Sequence, residues 1–334
     1  MMILLILVSM FTITTAILGF SSSHSYGYSA CNCVIFVMDD MGDYGSNNIQ
    51  LAVMDYFISK NMPFTASIVV DGIGNGPDLR VTEKVKEGIN KELFEIGIHG
   101  YRHVNHSLLT KEEQETDLIK AEEKLEDLFE KRANIFIPPF NNFNADTIEV
   151  LSELNISVLS TSGYHDQITT NPYKSQTLAV QNNSRLEVSK ISDQRPVIYH
   201  VPFDISLLAL HGNGVFGDNL VQEVLTLVDD SIAKRGFAQI RLHPSDFAQV
   251  NATSGEPVNV VDDVKFQELI KTVDSLADRN IRIASFTEIY PHYTIPFVRP
   301  VNYSSLFLMI IIVLSVIYSL LSSAVNKYAA PTQQ

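Results

Sequence analysis

Two cysteines, Cys31 and Cys33, are too few in 334 residues to make a disulfide framework. They stand as Cys-x-Cys beside the first apolar run, and the sequence leaves open whether they pair, bridge to another thiol or stay free. There is no tryptophan, no internal repeat and no low-complexity tract. Positive charge is scarce: 24 Lys and Arg against 38 Asp and Glu give a net charge of -14. With no long basic stretch, that balance argues against nucleic acid as a partner.

Charge is missing altogether at two places, residues 1–20 and 306–325. The first reads as a signal peptide or uncleaved anchor within 1–23. The second has the length of a transmembrane helix, followed by a short polar tail, 326–334. Arg299 and Lys327 flank it on opposite sides, so the positive-inside rule sets no orientation. Five Asn-x-Ser/Thr sequons, at Asn105, Asn155, Asn182, Asn251 and Asn302, agree with an exterior location. The expected topology is an exported domain over 31–292, tethered to the membrane by its C-terminal helix.

Between the ends, short apolar runs alternate with amphipathic segments. The pattern predicts strands at 34–38, 64–70, 94–98, 134–137, 157–160, 197–201, 237–242 and 281–285. It predicts helices at 48–59, 81–91, 111–132, 145–154, 220–234 and 260–279. Thr110 is the expected N-cap of the third helix, with Glu113 three residues on and Leu118, Ala121, Leu125 and Leu128 as its apolar stripe. Strand–helix alternation implies a parallel sheet covered by helices, and eight strands favour an α/β barrel over an open sheet. Residues 164–195 are polar and irregular and read as a long surface excursion, with His165 on the surface.

Unusual polar residues gather where these strands end. Asp39-Asp40 closes the first, Asp71 follows the second, and His99-Gly100-Tyr101-Arg102-His103 follows the third. Pro138-Pro139-Phe140-Asn141 follows the fourth, and His243-Pro244 follows 237–242. In a parallel barrel all strand C-termini open on one face, so these groups converge. Adjacent carboxylates raise one another's pKa and call for a cation or a catalytic task. Two imidazoles four apart plus a carboxylate make three metal ligands with room for water; zinc suits them, and Fe(II) oxygenases use the same ligand types. Gly100 after His99 excludes the zincin helix motif, which needs Glu there. His106 reads as a surface histidine, and Asp71-Gly72 as a turn. His200 and Asp204, in Tyr199-His200-Val201-Pro202-Phe203-Asp204, could line a pocket. Gly72-x-Gly74-x-Gly76 lacks the helix start a phosphate loop requires.

These motifs resemble those of the polysaccharide deacetylases, carbohydrate esterase family 4, and especially their divergent deacetylase-like branch. The resemblance spans roughly 33–290. The family's Thr-Phe-Asp-Asp-Gly corresponds to Val37-Met38-Asp39-Asp40-Met41-Gly42, its His-x-x-x-His to His99 through His103, and its late Leu-His to Leu242-His243. The resemblance implies a distorted (β/α) barrel of seven to eight strands. It implies Asp39 as general base, His243 as general acid, and Asp40, His99 and His103 as ligands of a divalent metal, with Zn2+ expected. It further implies removal of N- or O-linked acetyl groups from a glycan or related molecule, with Pro139, Phe140, Asn141, Arg241, Asp71 and His200 as candidate substrate contacts.

Two departures stand out. Ile137 occupies the place of the arginine that orients the family's base, for which Arg241, Arg102 or Asn141 could substitute. The pocket-walling Trp has no counterpart. These gaps motivate the alternative of a surface glycan-binding protein that kept the barrel and metal site but lost turnover.

Overall fold

The computed structural model describes residues 31–162, 189–190 and 198–289. The predicted terminal segments 1–23, 306–325 and 326–334, most of the 164–195 excursion and His165 lie outside the described residues. Among the described residues, no helix is long and apolar enough to cross a membrane.

The fold starts from strand β1, Cys33–Met41, whose residues Cys33 to Met38 are fully buried. A strand apolar on both faces belongs in the middle of a parallel sheet covered on both sides. Accordingly β1 is flanked by β2 (Phe64–Ile68) and β9 (Phe237–Leu242), both parallel to it. The sheet continues through β3 (Phe94–Ile98), β4 (Ile135–Phe136), β5 (Val158–Leu159), β7 (Tyr199–His200) and the antiparallel β6 (Ser189–Lys190). On the other side β8 (Ile205–Ser206) lies beyond β9, while β12 (Arg282–Ile283) pairs with the start of β1. Among the described residues the end strands β6 and β8 do not pair, so this parallel α/β sheet curves as an open, distorted barrel. All eight predicted strands are present, several of them shorter than predicted.

The covering helices are α1 (Asn47–Ser59), α2 (Arg80–Asn90), α3 (Lys111–Phe129), α4 (Ala145–Glu153), α5 (Leu207–Gly212), α6 (Gly217–Arg235), α7 (Asp263–Asp278) and α8 (Phe286–Ile289). The capping box of α3 forms as expected: Glu113 N–H donates to Thr110 Oγ1 at 3.3 Å and Thr110 N–H to Glu113 Oε2 at 2.8 Å, an arrangement whose cap is worth about 1 kcal/mol. Leu118, Ala121 and Leu125 are buried by that helix, which stops at Phe129 because Glu130 turns left-handed (φ 54°).

One predicted helix needs correction. The first two residues of the expected 260–279 helix, Val260 and Val261, belong instead to strand β11 (Pro257–Val261), which pairs antiparallel with β10 (Ala248–Val250). The β-branched Val258, Val260 and Val261 suit a strand, and the helix waits for Asp262, whose carboxylate caps Val264 N–H at 3.0 Å and Lys265 N–H at 3.3 Å.

Candidate metal and catalytic site

Adjacent residues of a regular strand point to opposite faces, yet Asp39 and Asp40 serve one site. The sheet register explains how. Met38 pairs with Ala66 but Met41 with Ile68, so β1 carries one extra residue, a bulge. Asp40 takes up the bulge in the left-handed region, at φ 57°, which costs a non-glycine residue roughly 1–2 kcal/mol.

Asp40 faces outward toward two imidazoles. Its Oδ1 lies 3.3 Å from His99 Nε2 and 3.2 Å from His103 Nε2. One ligand atom from each of the three residues falls within 4.8 Å of the others. His99 Nδ1 is 2.7 Å from the carbonyl of Ile137. A carbonyl can only accept, so Nδ1 carries a proton, which leaves Nε2 as the ring atom presented to the cluster, the usual support for a metal-binding imidazole. Gly100 makes the His99–His103 turn: its φ is 75°, and a Cβ there would lie 2.6 Å from the carbonyl oxygen of Arg102. The donor set, two nitrogens and a carboxylate with the imidazole tautomer fixed from behind, fits a zinc-type ion.

Electrostatics around the cluster follow from burial and neighbours. Burial opposes ionisation of Asp40, but His99 and His103 outweigh it and hold its pKa below the ordinary value. Burial likewise disfavours charge on His99, which Asp39 and Asp40 override, raising its pKa. His103 goes the other way: burial lowers its pKa, Asp40 counters in part, and His99 adds to the lowering.

Asp39 faces inward and is 3 % exposed. Arg241, 1 % exposed on β9, donates from Nη1 to Asp39 Oδ2 at 2.7 Å. The second Nη reaches Ser160 Oγ at 3.0 Å, and the guanidinium lies 4.0 Å over the ring of Phe203. Ser160 in turn is bonded to Gln239. Burial would raise the pKa of Asp39; Arg241, then His99 and His243, hold it below the ordinary carboxylate value instead. Its other oxygen, Oδ1, is buried without a hydrogen-bond partner. Of the three candidates for orienting Asp39, Arg241 is therefore the one in contact. Ile137 serves the site only through its backbone carbonyl.

His243 follows β9. Its N–H donates to Asp246 Oδ2 at 2.7 Å, and its Nδ1 is 3.9 Å from the same oxygen. Asp246 is buried, and its second oxygen lies 3.8 Å from His211 Nδ1. His211 Nε2 meets Glu268 Oε2 at 2.9 Å. Burial opposes charge on His211, but Asp246 and Glu268 prevail and raise its pKa. Sequence reading missed Asp246, His211 and Glu268. The only local signal was an acid three residues after His243.

The remaining candidates divide. Phe140 is 57 % exposed, with its ring 4.5 Å from that of His103. Both Phe140 (φ 58°) and Asn141 (φ 56°) are left-handed, and the Asn141 side chain accepts from Ser162 N–H at 3.4 Å. Pro139 is buried beneath this turn. Asp71 is exposed in a 3-10 turn, Val70–Gly72, as a turn former would be. His200 is completely buried against Thr161 at 2.9 Å, and its pKa is pushed down to about 3 by burial and then Arg235. It has no surface to offer a ligand. His106 is a correction: far from being a surface residue, it is wholly buried and 3.1 Å from Asp117, which also accepts from Tyr101 N–H at 2.8 Å. Asp117 thereby braces the loop between His99 and His103.

A His-His-Asp cluster that could hold a metal ion thus lies beside an arginine-held buried carboxylate where the parallel strands end. Residues 29–159 match the family model described as polysaccharide deacetylase. Similar solved structures include a family 4 acetyl xylan esterase from Clostridium thermocellum in complex with a cobalt ion (12 % identity, 79 % of this chain and 93 % of that one, TM-score 0.50). They also include a wild-type family 4 pseudoenzyme from Bacillus anthracis (12 % identity, TM-score 0.48), where the match covers 77 % of this chain and 64 % of that one, less than two thirds of its length. A family 4 carbohydrate esterase from Streptomyces lividans in complex with acetate matches at 11 % identity, with 76 % of this chain, 92 % of that one and a TM-score of 0.45. No curated protein matches. The family match is confined to residues 29–159, and the likeness to the solved structures is one of fold.

Proposed function

We propose that this protein is a metal-dependent hydrolase that removes acetyl groups, as amides or esters, from a glycan or related surface molecule. The observation that carries the reading is the division of labour within Asp39-Asp40. Asp40 joins His99 and His103, while Asp39 is kept out of that cluster by Arg241. A divalent ion held by Asp40, His99 and His103, zinc by the donor set, would supply Lewis acidity and an acidified water.

The chain's own groups do the proton work. Asp39, ionised at neutral pH, accepts a proton from the attacking water as its oxygen bonds to the acetyl carbon. His243 donates a proton to the departing amine or alcohol as the C–N or C–O bond breaks, and acetate is released. Arg241 keeps the Asp39 carboxylate from turning toward the ligands, and Asp246 holds the backbone that presents His243. Phe140, exposed beside His103, offers a sugar ring an apolar face where the family's Trp is missing.

The location we propose is extracytoplasmic, with the chain tethered through 306–325. The uncharged ends and the five sequons support this, as does the Cys31–Cys33 disulfide, since such bonds persist in oxidising compartments. The reading without turnover loses one of its two motives, because Arg241 supplies the arginine that Ile137 does not.

The test is acetate release from an acetylated-glycan library by the zinc-loaded full-length chain. Release that stops on chelation and is lost in Asp39→Asn, with zinc retained, supports the reading. Glycan binding that survives Asp39→Asn, with no release from any library member by the wild type, favours the binding protein.

A further inference from the structure

Tyr44 is the residue that the site geometry involves and the reading above leaves without a task. Its hydroxyl donates to the backbone carbonyl of Asp40 at 3.1 Å. That carbonyl belongs to the left-handed bulge residue whose side chain faces His99 and His103.

The ring that delivers the hydroxyl lies in a prepared slot. A Cβ on Gly42 would come 2.2 Å from Tyr44 Cε1, and one on Gly72 would come 2.4 Å from Cδ1, so neither position can carry a side chain while the ring is there. The slot is held from both sides. Gln50, fully buried, accepts from Gly42 N–H at 3.0 Å and donates to Gly42 O at 2.9 Å. Asp43 N–H donates to the carbonyl of Gly72 at 2.8 Å. Yet Tyr44 itself is 42 % exposed, so burial of the ring does not account for the arrangement. The glycines and Gln50 fix a half-exposed phenol against one backbone carbonyl.

We propose that Tyr44 is a positioning residue for the metal ligand Asp40, holding its strained peptide so that the carboxylate meets the two imidazoles. The proposal rests on the metal-centre reading. Without the hydroxyl, the bulge peptide can relax toward the extended region, and the Asp40 carboxylate turns off the line to His99 and His103.

The experiment is zinc titration of the full-length chain, with thermal melting of the zinc-free form in parallel. Tyr44→Phe keeps the ring in its slot and removes only the hydroxyl. It is expected to weaken zinc binding about tenfold, the low end for a ligand-supporting group, with the zinc-free melting midpoint nearly unchanged. Gly72→Ala displaces the ring and is expected to weaken zinc further. Leu276→Ala, a core change on α7 away from the slot, is expected to lower the midpoint and leave zinc affinity unchanged. A Tyr44→Phe affinity within twofold of wild type overturns the proposal, as does an equal loss in Leu276→Ala. If the wild type binds no zinc, the metal-centre reading itself falls and takes the proposal with it.

Discussion

On the β1–β3 side of the site, Asp40, His99 and His103 come from two short motifs, and a bulge and one glycine turn are enough to aim them. On the β9 side, Arg241, His243 and Asp246 work through partners far away in the chain: Asp39, Ser160, His211 and Glu268. The first side is local chain geometry around the proposed ion site. The second is a buried polar network in which each charge is held by the next. Damage on the first side should therefore be read in metal affinity, and damage on the second in stability and proton transfer.

The largest effect expected is on the local side. Asp40→Ala or His99→Ala removes one of the three proposed ligands and should lower zinc affinity by a hundredfold or more, roughly, by titration calorimetry. Folding stability of the zinc-free chain should change far less.

The reverse pattern is expected for Arg241→Met. It leaves Asp39 as an uncompensated buried charge and should destabilise the chain by about 3–5 kcal/mol in urea unfolding. Asp39→Asn with Arg241→Met should be milder than Arg241→Met alone, because the stranded charge is gone. An additive double variant would break the proposed pairing.

What could be read in advance follows the same division. Asp39-Asp40 and His99-x-x-x-His103 are contiguous, so strand ends and spacing sufficed to find them. Arg241 was visible as a candidate but not as the partner of Asp39, because that requires the parallel β1–β9 register, which pairs Val37 with Arg241. Asp246, His211 and Glu268 come together through α5, the turn after β9, and α7, and no local pattern joins them. The hairpin β10–β11 escaped for a related reason: its strands are short and largely exposed, with little apolar alternation to mark them. His106 looked like a surface residue because its partner, Asp117, is eleven residues on, inside α3.

Acid sharpens the comparison further. Asp39 and Asp40 both have pKa values held below those of the unfolded chain. Their stabilisation is thus present above the unfolded carboxylate value of about 3.9 and is lost as pH falls through the folded values. The zinc-free wild type should lose stability below about pH 4, and Asp39→Asn should flatten that fall in a pH series of urea melts. A wild-type curve with no acid limb there would contradict the ionised pair.

Smallest is the effect expected of Asp246→Asn. It exchanges a charged acceptor of the His243 N–H for a neutral one, worth about 1–2 kcal/mol in urea unfolding. Zinc affinity should be unchanged.

The division of the two adjacent acids is the centre of the account, and zinc stoichiometry measured on three full-length chains tests it most directly. Wild type and Asp39→Asn should each bind one ion, and Asp40→Ala none at the same concentration. Loss of zinc in Asp39→Asn, or its retention in Asp40→Ala, would contradict the account.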